Sequence, residues 1–150
     1  MKLAEALMQR ADAQRRLAQL NQRLQQNAKY QEGEKPAEHP AELLVEYQEV
    51  ADLLEKWVVQ INQANHHIRL ANDMNMVEAL AKRDRLKEEH TMLVKLADAA
   101  LPEQDRYSRS EIKMVSAVDI KAIRKKADHV AKAHRELDVL IQQANWQYDL

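Results

Sequence analysis

The sequence contains no cysteine and no phenylalanine, and only one glycine (Gly33) and three prolines. Without cysteine there are no disulfides, no thiolate metal sites and no thiol nucleophile. That usage is compatible with the cytosol. A single glycine cannot supply the glycine-rich turns that cradle phosphates in GxGxxG or P-loop motifs. No run approaches the roughly 18 apolar residues of a transmembrane helix. The opening residues, Met1-Lys2-Leu3-Ala4-Glu5, have no long apolar core and are soon followed by Arg10 and Asp12, so no secretory signal peptide is expected. The net charge is -1, so the chain's total charge selects no partner class.

What the chain does have is helix formers. Twenty-two alanines join abundant Leu, Gln, Glu, Lys and Arg, a composition that favours helix nearly everywhere. Two apolar ladders step by alternating threes and fours. One is Leu43, Tyr47, Val50, Leu54, Trp57, Ile61, Ala64, Ile68. The other is Ile120, Ile123, Ala127, Val130, His134, Leu137, Ile141, Ala144, Tyr148. That spacing holds side chains on one stripe of a helix, and its 3.5-residue average favours helices packed side by side. Trp57, mid-ladder, is expected to anchor its seam. Alanine-rich seams bury little area per residue, so a slender bundle of this kind calls for partner chains, and a homo-oligomer is expected.

Four helices are expected in one helical domain, residues 1–150. The first runs from about Leu3 to Ala28, with Arg10, Gln14 and Asn21 interrupting its stripe. Residues 31–40 (QEGEKPAEHP) hold Gly33 and two prolines and read as a loop. Pro40 suits the first turn of the second helix, where its missing N–H is no loss. Asn75 and Asp119 are placed to cap the third and fourth helices. The third helix ends before Pro102, with Val77, Leu80, Ala81, Leu93, Leu96 and Ala100 as its apolar set. The fold class is therefore all-α: an elongated four-helix, largely antiparallel bundle with a long loop before the last helix.

Charge is segregated. Residues 32–55 carry eight acids against Lys35, and residues 106–135 carry nine bases against three acids. The simplest reading is that the two segments neutralise each other, within or between subunits. A basic surface for phosphate is the sharper reading, and nucleic acid is given less weight.

Metal and cofactor motifs are missing. A ferritin-like site needs Glu three residues before His. Lys87, Lys126 and Ala131 stand there before His90, His129 and His134, and no HExxH is present. No metal and no cofactor are expected. His134, inside the fourth ladder, reads as an interface histidine. The remaining candidate is the loop at 105–113. Arg106, Tyr107, Ser108, Arg109 and Lys113 combine bidentate donors, a stacking face and adaptable hydroxyls, a set suited to phosphate, carboxylate or nucleotide. The alternative is that Arg106 and Arg109 clamp the loop to the helices through carboxylates, with Arg83 and Asp84 as structural partners.

The segments DRYSRSEIK (105–113), VDI (118–120), KKADHVAKAHRELDVLIQQANW (125–146), QEGEKPAEHPAELL (31–44) and LAKRDRLKEEH (80–90) together resemble the septicolysin-like family of small bacterial proteins. The resemblance covers essentially the whole chain. It implies a shared helical fold and a bacterial origin, and the family's label implies cytolysin activity.

Three functional readings follow. The first is a non-enzymatic, cytoplasmic, self-assembling helical protein whose 105–113 loop is structural or binds an anion. The second is a phosphate- or nucleotide-binding protein, or an enzyme, using that loop. The third is a membrane-active cytolysin, as the resemblance implies.

Overall fold

The structure is a computed structural model that describes residues 1–102 and 112–150. It is all-α, with four helices: α1 (Leu3–Gln26), α2 (Pro40–His67), α3 (Met76–Ala99) and α4 (Ile120–Gln147). The chain divides into two compact units, Met1–Ile68 with Gln143–Leu150, and Arg69–Gln142. Both long ladders lie on helices. Of the first, Leu43, Val50, Ile61, Ala64 and Ile68 are buried; of the second, Ala127, Val130, Leu137, Ile141 and Ala144 are.

In the first unit α1 and α2 run antiparallel. Ala13, Leu20, Leu43 and Val50 form the seam's centre, and Leu17, Leu24 and Leu54 pack against it. Arg16 reaches Glu46 at 3.9 Å, and Arg23 makes two hydrogen bonds to Glu38 one end further along, which fixes the register. Trp57 is half-buried rather than fully enclosed. Its indole N–H is covered without an acceptor among the described residues, and so is the Nε of Arg10 in α1.

The α1–α2 connection is closed by side chains. Asn27, 8% exposed, donates from Nδ2 to the Arg23 carbonyl at 2.8 Å and accepts the Glu38 N–H at 3.0 Å. Gly33 turns the loop at φ +88°, a conformation L side chains rarely adopt. Pro40 opens α2 as expected. The two chain ends meet as an antiparallel bridge between Lys2 and Asp149. The Leu3 N–H donates to the Tyr148 carbonyl at 3.0 Å, the Leu150 N–H to the Met1 carbonyl at 2.9 Å, and Lys2 pairs with Asp149 at 2.8 Å.

In the second unit α3 and α4 are also antiparallel. Arg83 pairs with Asp138 at 2.9 Å and Arg124 with Asp98 at 3.1 Å, at opposite ends of the pair. Asn75 caps α3 by accepting the Val77 N–H at 2.8 Å, and Asp119 caps α4 by accepting the Ala122 N–H at 3.1 Å. The apolar set expected on α3 is corrected. Val77, Ala81 and Leu96 are exposed, and the buried residues are Met76, Ala79, Leu86, Leu93 and Ala97.

Two measurements check the α1–α2 closure. Asn27→Ala leaves the part-buried Glu38 N–H without its acceptor, while the Arg23 carbonyl keeps the backbone N–H of residue 27, and unfolding in urea is expected to show a loss of about 1–3 kcal/mol. The Glu38 carboxyl is held below its ordinary value of 4.5 by the Arg23 hydrogen bond. A depressed carboxyl stabilises the fold above its unfolded-state value, and that contribution fades as pH falls through the folded-state value. The wild-type urea midpoint is therefore expected to drop more steeply below about pH 4.5 than that of Glu38→Gln.

Candidate functional site

The buried residues of α3 form a ladder with two gaps. Met76, Ala79, Leu86, Leu93 and Ala97 fit the three-four spacing only if Arg83 and His90 occupy seam positions. On α4 the seam runs through His134. Three polar residues thus stand where the packing geometry of two parallel or antiparallel helices asks for apolar ones. They lie at neighbouring levels of one antiparallel pair, and the seam opens there into a groove.

The groove holds about 520 Å³ and is lined by Arg83, Asp84, Lys87 and His90 from α3 and by Ala131, His134, Arg135 and Asp138 from α4. That volume is within the range of small-molecule sites. Arg83 is fixed: its Nη1 donates to the Asp138 carboxylate, and both side chains are partly covered. The remaining donors are free. His90 and His134 are half-buried, Lys87 and Arg135 are exposed, and none of the four side chains has a hydrogen bond or ion pair among the described residues. Asp84 sits on the rim.

The lining is rich in hydrogen-bond donors. Two charges cancel in the Arg83–Asp138 pair, and Lys87 and Arg135 exceed Asp84 by one positive charge. A group of three or more His, Asp or Glu able to hold a metal ion is absent among the described residues. No helix among them is long and apolar enough to cross a membrane.

Of the residues singled out in the sequence, Arg106, Tyr107, Ser108 and Arg109 lie outside the described residues. Lys113 is exposed. Arg83 belongs to the groove, paired with Asp138, and Asp84 shares its rim. Sequence reasoning missed the groove because a search for apolar residues breaks at Arg83 and His90. The signal that finds it is a three-four ladder begun at Met76 and continued through polar positions.

The sequence from residue 10 to residue 150 matches the model of a family described as "Family of unknown function (DUF6847)". The chain belongs to that family. It is also similar to a protein of known structure from Corynebacterium diphtheriae, described as a functionally unknown conserved protein. The two are 49% identical over 100% of this chain and 98% of that one, with a TM-score of 0.92. No curated protein matches the sequence.

Polar residues in a helical seam reduce stability, so their replacement is expected to raise it. His134→Leu should increase stability in urea by about 0.5–2 kcal/mol, within the range of core-optimising changes. A loss of stability would show that the imidazole is part of the fold's support.

Proposed function

We propose that this member of the family is a non-enzymatic binding protein that takes a small anion in the α3–α4 groove. The ligand class is a molecule bearing a phosphoryl, sulfuryl or carboxylate group. One observation carries the reading: Arg83, His90 and His134 occupy seam positions at the same stretch of the helix pair. Departures from apolar patterning at that cost are characteristic of functional sites. In this reading Arg83, held by Asp138, sets the groove's shape. Lys87 and Arg135 supply attraction from the two walls, and the imidazoles donate hydrogen bonds from the floor. The reading moves the anion site from the 105–113 loop to the helices and keeps the two basic walls as its source of affinity.

Calorimetric titration and thermal unfolding with inorganic phosphate, diphosphate and sulfate test this. Ligand that binds only the native state raises the unfolding temperature by mass action. Lys87→Ala and Arg135→Ala are each expected to weaken binding roughly tenfold, the loss of one charge-assisted hydrogen bond. Sulfate binding is also expected to weaken as sodium chloride rises, because Lys87 and Arg135 are exposed charges that salt screens. Binding that is absent for all three anions, or indifferent to both substitutions, would contradict the proposal. Release of dye from lipid vesicles by the pure protein would instead favour the membrane-active reading.

A further inference from the structure

A second feature involves two charged helix faces, one on α2 and one at the start of α4. On α2 the outward side carries Glu42, Glu49, Asp52 and Glu55, with exposed Leu44 and Val45 among them. The side chains of Glu42, Glu49 and Glu55 make no ion pair or hydrogen bond among the described residues, and the Asp52 carboxylate accepts from Gln48 one turn away. On α4 the first two turns carry Lys121, Arg124, Lys125 and Lys126 and contain no acid in the first turn. Exposed Lys113, Met114 and Val115 precede them. Arg124 is taken by Asp98; Lys113, Lys121, Lys125 and Lys126 are unpaired among the described residues.

The basic end of α4 is placed against local physics. Bases in the first turns of a helix oppose the positive end of its dipole, and four of them repel one another. Among the described residues the Asp119 cap and the Asp98 pair are the contacts that offset that arrangement. An external negative surface would offset it further. The acidic side of α2 fits in kind, and its span from Glu42 to Glu55, about 20 Å at the helical rise, is enough to cover Lys121 to Lys126, about 8 Å. Each patch also sets its charges beside exposed apolar side chains, Leu44 and Val45 in one, Met114 and Val115 in the other. Charge at the rim and apolar contact beside it is the composition of an association surface.

We infer that the acidic face of α2 in one copy of this chain docks on the basic face at the start of α4 in a second copy. The contact is heterologous in residues and repeats between copies, each offering one face of each sign. Its attraction is between exposed charges, so salt weakens it.

The test is the mass of the full-length protein by light scattering and sedimentation, in about 50 mM and about 500 mM salt, together with charge reversal. The wild type should associate at micromolar concentration in low salt and dissociate in high salt. Glu49→Lys/Asp52→Lys/Glu55→Lys and Lys121→Glu/Lys125→Glu/Lys126→Glu should each weaken self-association by more than about tenfold. Mixing the two variants should restore it, because each then offers the face the other lacks. Circular dichroism reports whether either variant is folded, and the wild-type salt dependence decides the matter where one is not. A wild type monomeric in low salt, an oligomer insensitive to salt, or folded variants that fail to associate when mixed would each overturn the inference. So would a basic face that binds an oligonucleotide while the protein stays monomeric.

Discussion

Each helix of this chain can bury one stripe, about three residues in seven, and what occupies that stripe decides what each part of the molecule does. Where the stripe is filled with Ala, Leu, Val and Ile, as between α1 and α2, the two helices close on a dry seam. Charged partners then flank the contact without entering it, as with Arg16–Glu46 and Arg23–Glu38. Where the stripe admits Arg83, His90 and His134, the seam between α3 and α4 opens and its donors face a shared space. The same geometric rule produces a closed seam in one unit and an open groove in the other.

Polar groups are used differently at Asn27 and in the groove, although the first unit also covers the Trp57 indole N–H and the Arg10 Nε without an acceptor among the described residues. In the first unit, Asn27 is nearly fully covered and satisfied on both sides of its amide, which ties the end of α1 to the approach to α2. A polar group used that way rigidifies, because burial without partners would be costly. In the second unit the half-buried imidazoles have no partner among the described residues. Their ring nitrogens remain available to a ligand in the groove. Among the described residues that line the groove, Arg83 and Asp138 are paired with each other, which sets the shape of that wall.

Much of the architecture was legible in the sequence because apolar periodicity survives translation into helices. The α4 ladder was read correctly from Ile120 to Tyr148, His134 included, and Pro40, Asn75 and Asp119 stand at the helix starts they signalled. The α3 seam was not legible by the same rule. Val77 and Leu96 are apolar but exposed, while Arg83 and His90 are polar but sit in the seam. Composition ranks those residues the wrong way round, and only the spacing from Met76 to Ala97 ranks them correctly. Contacts between residues far apart in sequence, such as Lys2 with Asp149 and Arg83 with Asp138, have no local signal at all. The loop that attracted attention for its arginines, Arg106 and Arg109, falls outside the described residues, whereas its suggested neighbour Arg83 proved to be part of the groove.

The central claim is that an anion is held between α3 and α4 by groups that include the seam histidines. The most direct measurement is a nuclear magnetic resonance titration of protein labelled in its six histidine side chains with sulfate at constant pH. His90 and His134 are expected to shift together with one saturating curve, while His39, His66, His67 and His129 stay in place. Saturating shifts confined to those other histidines, or no saturable shift at His90 and His134, would contradict the account.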